Sequence, residues 1–207
     1  GSPSEGGDQY INPSFRKRIV LKLNDNIHSR SFVPVKFLFA LAKKILWNTH
    51  YIIPFKDDVY EAMWYGNDTL WRTLQDVNRI VFYADKNGKI QDTPQRNHFQ
   101  IIDGIVAGEK VGPVNCEPVY LGLLMTGYNA LSIDTVSATL MGFDYRKIPL
   151  INNTLKTVNS TQPLIYGSVD DIKITDGDKE YDLKSYEKYR NLNFEPHPNW
   201  KGHIERD

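Results

Sequence analysis

Cysteine is almost missing from this chain: Cys116 stands alone among 207 residues. That excludes an internal disulfide, a four-cysteine zinc site and a cysteine-ligated iron–sulfur cluster built from this chain alone. A lone thiol suits a reducing compartment, so the chain is read as cytoplasmic. Long apolar runs are missing too: none reaches the 18 or so residues that a membrane-spanning helix requires. The opening GSPSEGGDQY has no charged-then-apolar layout of a signal peptide. Net charge is the third absence. Lys+Arg and Asp+Glu both number 25, so no overall field draws nucleic acid, and no nucleic-acid partner is expected. The phosphate-loop, dinucleotide-fingerprint, zinc-protease and nucleophile-elbow motifs are all missing.

What is present fits a folded chain: 41% hydrophobic and 24% charged residues, enough to bury a core without staples. The charge is unevenly spread. Residues 11 to 50 carry eight bases (Arg16, Lys17, Arg18, Lys22, Arg30, Lys36, Lys43, Lys44) against one acid, Asp25. The stretch from Ser168 onward is mildly acidic.

Residues 1–12 read as a loop, followed by helices at Ser14 to Ile27 and Val35 to Trp47. The second places Leu38, Leu41 and Ile45 on one face. It is too short to span a bilayer and reads either as a helix packed on its own domain or as a membrane-surface helix. In WYGNDTLWRTLQDVNRIVFYADKNG, Gly66 breaks, Asn67 or Asp68 caps, and Leu70, Leu74, Val77 and Val81 form a stripe expected to face the core. Arg72 and Asp76 form an i,i+4 pair on another face. FQIIDGIVAGE and VYLGLLMTG are nearly continuous apolar runs, the pattern of strands buried on both faces. A helix follows from Asn129 to Met141, with Gly142 as its C-cap. Asp176-Gly177 between alternating runs signals a hairpin, and 191–207 reads as an irregular surface tail anchored by Phe194 and Trp200. The expected architecture is one α/β domain over 1–207: a mixed or partly parallel sheet with packed helices, a C-terminal hairpin and the tail.

The chemical oddity is Asp103 inside an apolar strand, with Glu109 six residues on in a glycine-flanked loop and Asp134 inside an otherwise small or apolar helix. Carboxylates in apolar surroundings are costly unless paired, hydrogen-bonded or metal-bound. If they converge, the three could hold Mg²⁺ or Mn²⁺, or divide acid and base roles. If they do not, Asp103 turns the chain with Gly104, Glu109 is solvated and Asp134 pairs with a base.

The stretch IIDGIVAGEKVGPVNCEPVYLGLLMTGYNALSIDTVSATLMGFD, about 44 residues, resembles the signature of a prokaryotic family called domain of unknown function 362. WYGNDTLWRT and EPHPNWKGHIE are similar to a subgroup associated with genes for cell-surface polysaccharide synthesis. The resemblance implies acidic site residues at Asp103, Glu109 and Asp134, with a Gly-Pro turn at Gly112 and Pro113. Lys110 and Cys116 stand where that family usually has glycine. It also implies that the chain is the C-terminal portion of a longer protein whose N-terminal half lies upstream.

On this basis the expectation is an enzyme acting on a sugar or phosphorylated intermediate of surface-polysaccharide metabolism. Asp103, Glu109 and Asp134 form its acidic, divalent-cation-binding centre. Asn67, Asp68, Arg72 and Gly112 bind the small-molecule substrate, with Arg72 clamping an anionic group near a helix N-terminus. The alternative is a non-catalytic assembly or electron-transfer module docking a partner through its acidic loop and aromatic tail.

Overall fold

The computed structural model describes residues 19, 22–23, 33–48, 64–112 and 115–206. The opening loop and most of the Ser14 to Ile27 helix lie outside the described residues. The chain divides into two compact units, Gly1–Leu70 and Trp71–Asp207.

In the first unit, α1 spans Val33–Asn48. Pro34 sits in its first turn, where a missing N–H leaves no hydrogen bond unmade. Further along, Asn67 Oδ1 accepts the amides of Thr69 and Leu70 at 3.1 and 2.8 Å. This makes Asn67 the N-cap of α2, Leu70–Tyr83.

The apolar stripe of α2 does not face the core. Val77 is 48% exposed and Ile80 56%, and Leu70, Leu74 and Val81 are exposed as well. The buried residues are Gln75 and Tyr83, because each finds a polar partner inside. Gln75 Nε2 donates to Thr154 Oγ1 at 3.0 Å, and Tyr83 Oη donates to the carbonyl of Pro163 at 2.6 Å. Arg96 closes the C-terminal end by donating to the carbonyls of Val81 and Ala84.

Strands β1 (Gln100–Val111) and β2 (Asn115–Gly127) form a two-stranded antiparallel ribbon. A second antiparallel pair, β3 (Lys173–Asp176) and β4 (Lys179–Asp182), is the hairpin expected at Asp176-Gly177. Gly177, at φ 62, takes the first of its two loop positions. Helices and strands mix as expected, but both sheets among the described residues are antiparallel. The apolar runs looked doubly buried because both faces of the ribbon are apolar. One face packs inward through Val119, Leu121, Leu123 and Met125. The other leaves Ile101, Ile105, Val106, Tyr120 and Leu124 exposed.

Between Gly104↔Leu123 and Val106↔Tyr120 the register slips, so Leu121 and Gly122 of β2 oppose the single residue Ile105. Gly122, at φ 61, takes the left-handed conformation that such a bulge uses. The slip changes the phase of β1: Ile102 and Gly104 turn inward before it, Ala107 and Glu109 after it.

Helix α3, Ala130–Met141, is the centre of the second unit. Asn129 caps its start by accepting the Ser132 amide, and Gly142 ends it at φ 93. Val136 and Leu140 pack against Ile172, Leu183 and Tyr186, the last two on α5 (Leu183–Tyr189). Leu131 and Ala138 pack against Ile165 and Ile151, the latter on α4 (Pro149–Leu155). A third cluster joins Phe143 to Phe194 and Ile204, so the tail contributes to the core. Phe143 also bridges to Glu205, and Arg206 Nε donates to the Phe143 carbonyl at 3.2 Å.

A Cβ at position 142 would adopt a left-handed conformation 3.0 Å from Asn191 Oδ1. We therefore expect Gly142→Ala to cost about 1–2 kcal/mol and lower the melting temperature by roughly 2–4 °C per kcal/mol. An unchanged melting curve would show that the left-handed cap does not set the end of α3.

Candidate functional site

The inward phase of β1, helix α3 and the tail line a shallow, open cavity of about 510 Å³. Its floor is apolar, with Ile102, Met141, Phe143 and Ile151. Around this floor stand Glu109, Lys110, Gly112, Asp134, Ser137, Glu195, His197 and Trp200. Few polar groups over an apolar floor is the usual make-up of a small-molecule site. Two cavities of similar size, about 580 and 610 Å³, contain none of the three acidic residues singled out in the sequence.

Each of those residues has a definite place. Glu109 Oε2 accepts the amide of Glu195 at 2.8 Å, and the Lys110 amide donates to the Glu195 carbonyl at 3.1 Å. The pair of bonds fastens the tail alongside β1 and brings His197 and Trp200 over the cavity. Asp134 makes no hydrogen bond or ion pair with the described residues. Its side chain is exposed at the surface, yet the atoms packed around it remove enough water from the carboxyl to hold its pKa above the ordinary aspartate value. Asp103 is elsewhere. It is exposed, absent from the cavity lining, and its Oδ1 accepts the amide of Ile105 at 3.1 Å, beside the bulge.

The three-carboxylate centre is therefore not assembled. Among the described residues no cluster of three or more His, Cys, Asp or Glu side chains is placed to hold a metal ion. The residues do not fit the Mg²⁺ or Mn²⁺ site expected from them. Glu109 and Asp134 share one cavity; Asp103 belongs to the backbone of the ribbon.

The expected substrate-binding residues separate in the same way. Gly112 lines the cavity. Asn67 is buried at 8% exposure and its oxygen is engaged as the cap of α2; Asp68 is exposed, and both belong to the first unit. Arg72 stacks over the Trp71 ring at 4.3 Å and is not a cavity residue. Asp76 pairs with Arg79 at 3.1 Å.

No family model, curated protein or solved structure matches the chain. The site rests on its own chemistry.

Two cavity residues carry little signal in the sequence. Lys110 adopts φ 64, the left-handed region that favours glycine. Its Nζ donates to Glu117 Oε2 at 2.6 Å, which raises its pKa, and lies 3.9 Å from Glu195. His197 Nδ1 accepts the Asn199 amide at 3.2 Å, and desolvation lowers its pKa, favouring the neutral ring. His197 and His203 stand six apart in a proline-broken tail, poor spacing for a rigid metal pair, and the fold of the tail brings His197 to the cavity.

The backbone at Lys110 gives a direct test. Lys110→Ala and Lys110→Gly both remove the ion pairs, but only glycine relieves the left-handed strain. The glycine variant should be the more stable by about 1 kcal/mol in denaturant unfolding; equal stabilities would mean no strain is stored there.

The sign for Asp134 follows from its raised pKa. The folded state binds its proton more tightly than the unfolded chain, so this contribution is complete below the ordinary aspartate value of about 3.9 and is lost as pH rises through the folded pKa. Asp134→Asn, which mimics the neutral form, should match the parent in acid and exceed it in stability at neutral pH. A parent that stays the more stable at neutral pH would contradict this environment.

Proposed function

We propose that the cavity binds a sugar of surface-polysaccharide metabolism and that Asp134 moves a proton during its conversion. The observation that carries this reading is Asp134 itself: an unpaired, partly desolvated carboxyl at the mouth of an apolar-floored cavity. A raised pKa brings a carboxyl closer to the range where general acid–base catalysis works near neutrality. His197 stands in the same lining; its Nδ1 accepts the Asn199 amide, so the neutral ring carries its proton on Nε2.

The charge of the lining supports one of the two substrate classes expected from the sequence. Glu109, Asp134 and Glu195 face a single cation, Lys110. Sugar hydroxyls donate to carboxylates, whereas a phosphate brought among them is repelled, so the neutral sugar is favoured. Trp200 supplies an aromatic wall for its apolar face. Glu109 acts as a positioning residue, holding the tail through the Glu195 amide. The link to polysaccharide synthesis rests on the resemblance of the flanking segments. No step through a metal is derived.

Calorimetric titration with a panel of neutral hexoses and their phosphates tests the assignment. A neutral member should bind saturably, weaken about tenfold or more in Asp134→Asn and stay unchanged in Asp103→Asn. A preference for the phosphates, or equal loss in both variants, would overturn it.

One observation favours the alternative of a non-catalytic module. The outer ribbon face presents Tyr120 at 80% exposure and Leu124 at 61%, an apolar surface of the kind that docks partners. For that role, Tyr120→Ser should weaken an association step while leaving the sugar titration untouched. Loss of sugar binding in that variant would tie the face to the cavity instead.

A further inference from the structure

Helix α1 displays its apolar side chains to solvent. Val33 is 72% exposed, Phe37 71%, Leu38 64%, Leu41 45% and Ile45 59%. At about 100° per residue these five positions fall within one arc of roughly 140°. Positions 36 and 43 lie beyond one border of that arc, and position 44 just inside it. All three are lysines, and α1 contains no acid.

Leaving this much apolar surface in water is unfavourable by about 25 cal/mol per Å², so the face calls for an occupant. The charge around it selects which. Residues 11 to 50 carry eight bases and one acid. A second copy of the chain would bring the same positive charge against itself, and a neutral apolar groove would leave the lysines unanswered. A bilayer containing anionic lipid answers both features at once: acyl chains take the apolar arc, and headgroups take the lysines, because a lysine stem can lie along apolar surface while its charge stays in the polar layer. Length fits a helix lying in the membrane plane. Sixteen residues extend about 24 Å, short of the roughly 30 Å hydrocarbon core. Among the described residues no helix is long and apolar enough to cross a membrane.

We propose that α1 is a membrane-surface anchor that lies flat in the headgroup region of anionic bilayers. It places the chain at a lipid surface through apolar insertion supported by lysine–headgroup attraction. This assignment is independent of the sugar reading of the cavity.

Co-sedimentation of the full chain with phosphatidylcholine vesicles, with and without phosphatidylserine, tests it. Binding should require phosphatidylserine at about 0.1 M salt and fall severalfold at about 1 M, where the Debye length shrinks from about 10 to about 3 Å. Phe37→Asp and Leu41→Asp should each weaken partitioning about tenfold or more, and Lys36→Gln with Lys44→Gln severalfold, with circular dichroism unchanged. If the aspartate variants lose helical signal, Phe37→Ser and Leu41→Ser carry the same comparison. Two results overturn the proposal: a parent chain that stays in the supernatant with both vesicle types, or one that binds both equally at both salt concentrations. So does self-association without vesicles that Phe37→Asp abolishes while sedimentation stays unaltered, because α1 then joins two copies.

Discussion

The extra residue that β2 carries opposite Ile105 decides which side chains of β1 meet the core. In a regular strand, residues six apart share a face. Asp103 and Glu109 are six apart, and the slip at Gly122 sends them to opposite faces. Glu109 then reaches the amide of Glu195 and fastens the tail. The tail brings His197 and Trp200 over the cavity and lends Phe194 and Ile204 to the core. Without the bulge, strand periodicity would have pointed Glu109 outward with Asp103.

Asp103 on the ribbon and Asp134 on the helix lie in contrasting environments. Asp103 lies in solvent and satisfies an amide beside the break in the ladder, a local role in which its charge is incidental. Asp134 sits on a helix whose other residues are largely buried, at the edge of a cavity that removes part of its hydration. The first carboxylate is stabilised by what it bonds; the second is held ready by what it lacks. That difference makes Asp134 the stronger candidate for proton chemistry.

Lys110 joins the ribbon to the tail in a backbone conformation that ordinarily belongs to glycine. Its backbone keeps the left-handed conformation that glycine adopts at no steric cost. Ion pairs to Glu117 and Glu195 offset part of the strain. The left-handed turn is thus held by a residue that also places a cation at the cavity rim.

Local chemistry was legible in the sequence. Asn67 and Asn129 cap helices, Gly142 ends one, and Asp176-Gly177 turns a hairpin, because each depends on a few neighbouring atoms and on which φ a residue tolerates. The unusual carboxylates were legible too, since charge inside apolar runs is conspicuous. What only the tertiary structure decided was orientation. The stripe of α2 points outward because Gln75 and Tyr83 find Thr154 and Pro163, residues some eighty positions away. The ribbon is half exposed because its strands pair with each other, and apolar composition alone does not count neighbours. The acidic residues divide into one inside and one outside because a single register slip, invisible to periodicity, reverses the face of a strand.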